Sequence, residues 1–143
     1  DLAIASYKEA IRLKPDYASA HNILAWLWVS SKDPALRRPR EALAHAQKAV
    51  HLSGRKHSSY LDTLAEVHYA LGQCLKATRV EEEAIHLKPG KAYYQKSLKR
   101  FVLCQKAIRA ALAGDIATAR ERWQAILTLA PEDWRAQEEL GTR

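Results

Sequence analysis

Three histidines spaced by six, His45, His51 and His57, are the residues of this chain whose type most invites a metal. A helix turns about 100° per residue, so that spacing sends successive rings about 120° apart on one helix, or spreads them over a loop. A metal site needs convergent ligands, and this spacing does not supply them. Cys74 and Cys104 have no metal or redox spacing either, and each is expected to be a free, buried thiol. Glu81-Glu82-Glu83 has the composition of a solvated charge run. There is no glycine-rich phosphate loop, nucleophile elbow or H-E-x-x-H pair, so no catalytic residue, metal or cofactor is expected.

The clearest organisation in the chain is a recurring phrase. It reads Ala3, Tyr7, Ala10, Leu13, Pro15, then Ala42, Ala46, Ala49, Leu52, Gly54. It returns as Ala77, Glu81, Ala84, Leu87, Pro89 and as Ala119, Trp123, Ile126, Leu129, Pro131. Successive copies are displaced by 39, 35 and 42 residues at every position, so all variation in length lies outside the phrase. Within a copy, steps of four and three keep the small and large residues on one face of a helix. Proline or glycine then ends that helix. His51 and His86 fall at matching places in two copies, as repeats of one surface role.

Ahead of three phrases lies a second amphipathic stretch marked by a long residue followed by a small one: Leu24-Ala25, Leu64-Ala65 and Lys106-Ala107. A fourth pair, Leu140-Gly141, follows the last phrase. The small residue lets two helices approach closely, so each unit is expected to be a helical hairpin. With these positions the chain resembles the tetratricopeptide repeat family, whose pattern of about 34 residues is met best by Leu64, Ala65, Gly72, Ala77, Ala84 and Pro89. The last full copy keeps Ala107, Gly114, Ala119 and Pro131, with Lys106 and Ile126 departing from the usual Leu and Ala. Pentatricopeptide arrays, which bind RNA, are the nearest competitor; proline-terminated second helices and paired alanines favour the tetratricopeptide pattern.

The resemblance implies an all-α fold, a right-handed α-solenoid of antiparallel helix hairpins. It divides one array of 1–143 into a second helix at 1–16, full repeats at 17–54, 55–90 and 91–131, and a first helix at 132–143. Five surplus residues of the first full repeat lie in 32–40, where two prolines and three arginines make a loop. Eight more in the third lengthen its first helix by about two turns, since nothing from Lys91 to Ala113 breaks a helix. On that helix Tyr93, Tyr94, Leu98, Phe101, Cys104, Ile108 and Leu112 are expected on one side. Lys96, Lys99, Arg100 and Lys106 are expected on the other, with no acidic residue in the stretch. That stripe reads either as a solvated face or as a surface for an acidic partner or nucleic-acid phosphate.

In the family, first helices line a concave groove that receives an extended peptide or partner helix. Carried over, the groove positions are Ser19, Asn22, Trp26 and Val29, then Ser59, Asp62, Glu66 and Tyr69, then Cys104, Ile108 and Ala111. The carboxylate clamp of chaperone-binding members has one counterpart here, Asn22, with Trp26 where another Asn belongs; chaperone tails are not expected. The resemblance therefore implies a protein-interaction scaffold whose groove uses Asn22, Trp26, Asp62, Glu66 and Tyr69, with the basic stripe as a second surface. The alternatives are a regulatory or substrate-positioning segment of a larger enzyme, and nucleic-acid binding through 91–109.

Composition frames these expectations. The chain has 143 residues, 48% hydrophobic, with a net charge of +7, enough for a continuous core and a mild preference for acidic partners. No apolar run approaches the 18 or more residues a membrane span needs. The first and last segments read as half-repeats and methionine is absent, so a piece of a longer protein is expected, with ends open to further repeats or a second copy. A cytoplasmic location is the default for such an array.

Overall fold

In all four phrases the leucine is the last helical residue. Leu13, Leu52, Leu87 and Leu129 close α1 (Leu2–Leu13), α3 (Pro39–Leu52), α5 (Cys74–Leu87) and α7 (Ile116–Leu129). Three of these helices stop two residues before a proline, whose missing N–H and bulky ring prevent continuation. The other elements are α2 (Ala18–Ser30), a 3-10 turn (Pro34–Leu36), α4 (Ser58–Ala70), α6 (Ala92–Leu112) and α8 (Trp134–Leu140). This computed structural model describes residues 1–141, so the end of the segment expected at 132–143 lies outside the described residues. Among them the fold is all-helical, with eight α-helices and no strand.

Contacts divide the chain into two units, Asp1–Gly90 and Lys91–Arg143. In the first, α2 packs on α3 and α4 on α5, while α1 lies against α2, α3 against α4 and α2 against α4. In the second, α6 packs on α7 and α7 on α8. The phrase alanines lie at these contacts: Ala42, Ala46, Ala49, Ala77 and Ala84 are 0% exposed. So are the small partners Ala25, Ala65 and Ala107 from the helices before them. A methyl group at the crossing lets two backbones come close, and the larger neighbours Leu24, Leu61 and Val67 fill the space alongside.

Helix α4 is the centre of the first unit. Every residue from Leu61 to Tyr69 is buried, as α2, α3 and α5 all pack on it. By contrast α1 has no buried residue, and its Leu2 and Leu13 are 88% and 70% exposed.

The short connections carry their own reasons. Gly72 (φ 79°) and Gly114 (φ 81°) hold the same place after α4 and α6, in the left-handed region that favours glycine. Each turn closes with the same pair of bonds. The Gly72 N–H donates to the Tyr69 carbonyl and Gln73 to His68; Gly114 donates to Ala111 and Asp115 to Ala110. A three-residue connection of this kind folds the chain straight back.

The longer connection at 31–38 stabilises itself. Asp33 Oδ1 accepts from the Ala35 N–H at 3.0 Å and caps the 3-10 turn. Arg37 Nε donates to the Ser31 carbonyl at 2.9 Å, and Arg38 Nη1 donates to the carbonyls of Ala35 (3.0 Å) and Arg37 (2.9 Å). Two of the three arginines that mark this loop in the sequence thus satisfy its own backbone.

The cysteines correct an expectation. Cys74 and Cys104 are buried, at 3% and 0% exposure, but neither is a free thiol; both are disulfide-bonded. Their spacing carried no signal of this, because pairing depends on three-dimensional proximity.

If alanine is required at the crossings, Ala46→Leu should cost about 1–3 kcal/mol by overpacking. Lys48→Leu on the exposed side of the same helix should cost far less. Urea-unfolding midpoints of the two variants and the parent chain test this.

Candidate functional site

Asn22 and Trp26 are one helical turn apart on α2, on the same face, and both are half-buried. Behind them Ala20, Leu24, Ala25 and Trp28 anchor the helix in the core. The Asn22 side-chain oxygen is buried and has no hydrogen-bond partner among the described residues. If the amide is turned over, a donor is left in that position, so one polar end needs a partner in either orientation. Asp62, Glu66 and Tyr69 sit on the neighbouring helix α4, but they are 7%, 9% and 3% exposed. Of the five residues carried over for a groove, the structure leaves Asn22 and Trp26 half-buried and covers the other three.

The joint of α1, α2 and α3 holds a histidine pair that the sequence did not single out. His21 Nδ1 and His45 Nδ1 are 2.8 Å apart, and His21 Nε2 lies 2.7 Å from the Pro15 carbonyl. The rings stack at 5.0 Å with planes 29° apart; Trp28 packs on His45, and Lys8 Nζ lies 5.4 Å from the centre of the Trp28 indole. Burial, then the nearby His21 and Lys8, hold the His45 imidazole below its ordinary range.

The other histidines of the six-residue series go elsewhere. His51 is exposed and lines an open cleft of about 500 Å³ with Gln47, Val50, Leu64 and His68. His57 stacks on Tyr60 at 3.8 Å. His68 shares a 2.7 Å bond with Gln73 Oε1, and its pKa is lowered chiefly by burial. Among the described residues, no group of three or more His, Cys, Asp or Glu is placed to hold a metal. No described helix is long and apolar enough to cross a membrane.

The triple glutamate is not uniformly solvated. Glu81 is 0% exposed, whereas Glu82 and Glu83 face outward. Glu81 stands at the phrase position held by Tyr7, Ala46 and Trp123, which is a core position by register. Glu83 receives a bidentate pair from Arg55, with Nε at 3.0 Å and Nη2 at 2.7 Å.

Helix α6 runs unbroken for 21 residues, against 13 in α2 and in α4. Its exposed cations are Lys96, Lys99, Lys106 and Arg109. Arg100, expected beside them, is 9% exposed and faces inward. The angular reason is simple: Arg100 lies about 60° from Ser97 and about 40° from Cys104, both buried, so it belongs to their arc. Arg109 takes its place on the open face. Tyr93 and Leu112, expected on the apolar side, lie at the helix ends and are 45% and 85% exposed.

Arg100 has a defined task within the second unit. Its Nε and Nη2 both donate to Asp133 Oδ2 at 2.9 Å. The other carboxylate oxygen accepts from the Ala136 N–H at 3.0 Å and caps α8. One carboxylate thus starts α8 and binds it to α6. Breaking one side of a buried ion pair costs about 3–5 kcal/mol, far more than the pair's net worth, because a buried charge is left behind. Asp133→Ala should therefore lower stability by that order, whereas Asp133→Asn, which keeps the cap, should cost less. Chemical denaturation of both variants, with amide exchange at Ala136, separates the two losses.

No protein-family model and no curated protein matches this chain.

Proposed function

We propose that this chain is a protein-interaction module built of tetratricopeptide-like helical hairpins, in which the outer face of α2 takes an extended segment or helix of a partner protein. The observation that carries this reading is the Asn22 side-chain oxygen, buried without a donor beside the half-buried Trp26. A peptide backbone offers an N–H and a carbonyl at the spacing a primary amide engages, and an indole supplies apolar area at low entropic cost. The oxygen is closed off from the surface in this arrangement, so a partner's N–H reaches it as the half-buried side chain turns outward, which ends a cost of about 1–3 kcal/mol for the unmet acceptor. Asp62, Glu66 and Tyr69 are covered and do not touch the partner in this reading. The recurring phrase and the pairing of α2 with α3 and α4 with α5 support the tetratricopeptide-like, right-handed solenoid arrangement.

A second reading, an acidic partner or nucleic acid on α6, is favoured by one observation: Lys96, Lys99, Lys106 and Arg109 are exposed on a helix that has no acidic residue. It predicts that affinity falls steeply with salt. Regulation or substrate positioning in a larger enzyme is compatible with either surface and is favoured by neither.

A displayed peptide library panned against the chain provides ligands for the test. Peptides selected on the parent chain should lose about tenfold or more in affinity to Trp26→Ala, and a further part to Asn22→Ala. They should bind Lys99→Ala unchanged at moderate salt. Equal affinity for the parent and both α2 variants would remove this face from the account.

A further inference from the structure

The histidine pair at the α1–α2–α3 joint has a fixed proton arithmetic. A carbonyl only accepts, so His21 Nε2, 2.7 Å from the Pro15 oxygen, carries a hydrogen. Neutral His21 then has a bare Nδ1, and the 2.8 Å contact requires His45 to donate its Nδ1–H to it. That leaves His45 Nε2 bare. One added proton can go there with both bonds kept. A second has only His21 Nδ1 to occupy, where it would meet the His45 Nδ1–H head on. We propose that His21 and His45 form a single-proton latch between α2 and α3, closed with no added proton or one and opened by the second.

The surroundings oppose even the first proton. From α1, Lys8 lies over Trp28, which packs on His45. Asp1, Arg38 and Glu41 line the cleft of about 290 Å³ around Trp28, with Glu41 one turn before His45 on its own helix. Helix α4, which also packs on α3, carries Asp62, Glu66 and His68. Burial holds the His45 pKa down, and the Lys8 ammonium acts in the same direction.

The sign of the effect follows. Unfolded, both imidazoles take up a proton in the ordinary histidine range, whereas the closed latch accepts one at most. Folding therefore releases a proton at acid pH. The latch contributes its full stability above the unfolded imidazole pKa and loses it as pH falls below. A difference of one proton corresponds to about tenfold in the folding equilibrium constant per pH unit. The latch does not depend on what the outer face of α2 binds.

Two measurements on the intact chain test it. Long-range proton–nitrogen correlation of the imidazole rings at pH 7.5 should find His21 as the Nε2–H tautomer and His45 as the Nδ1–H tautomer. Finding His45 with a bare Nδ1 beside neutral Nε2–H His21 would overturn the proposal. Urea midpoints followed from pH 7.5 to 5 should fall more steeply in the parent than in His45→Asn, which keeps a hydrogen-bonding atom near Nδ1 but cannot titrate. The difference should approach tenfold in the equilibrium constant per pH unit at the acid end. Parallel profiles would overturn it; should His45→Asn fail to fold, the tautomers of the parent still decide.

Discussion

Two helices can lie side by side at short range only where neither presents more than a methyl group at the crossing. In this chain that requirement is met by alanine in the second and third phrases, at Ala119 of the fourth, and in the helices before them. Ala25, Ala42, Ala46, Ala49, Ala65, Ala77, Ala84 and Ala107 are all fully buried. Everything else in each unit is arranged around those lines. The larger apolar side chains fill the space beside them, the leucine of each phrase ends its helix, and glycine or proline turns the chain toward the next crossing.

Polar groups drawn into such a framework must be satisfied or must serve a purpose. Asp133 shows the first case, with one oxygen capping α8 and the other holding Arg100. Its value lies in fixing where α8 starts and against what it rests. Asn22 is the open case, since its side-chain oxygen is buried with no donor beside it, and the proposed partner contact gives it a purpose. The His21–His45 pair stands between them, its two bonds kept with no added proton or one and in conflict with two. These three features differ in energetic character.

Much of this was legible in the sequence. Helix ends at the phrase leucines, and burial at the phrase alanines from the second copy onward, follow from spacing, because both depend on residues three and four apart; Ala3 and Ala10 share that spacing, yet α1 has no buried residue. Features set by the neighbouring helix did not. Arg100 was placed with Lys96 and Lys99 although its angular position belongs with Ser97 and Cys104; a count of cations along the chain hides which side of a helix each occupies. Asp62, Glu66 and Tyr69 read as groove residues by family register, but α4 is covered on all sides. The free-thiol expectation for the cysteines failed for a similar reason, since a disulfide depends on proximity across the fold. His21 and His45, 24 residues apart, come together only once α2 and α3 are laid antiparallel, with His21 one turn before Leu24-Ala25 and His45 beside Ala46. Aligning the two helices on their alanines would have exposed that pair.

The central claim, that alanine-lined crossings organise each unit and make α4 the core of the first, is tested most directly by native-state amide exchange resolved by residue. Amides stabilised by packing on several sides exchange through the largest openings, while those of a helix with one neighbour exchange through local fraying. Within residues 1–90 the account predicts the slowest exchange across Leu61–Tyr69 and the fastest helical exchange across α1. Comparable rates in α1 and α4 would contradict it.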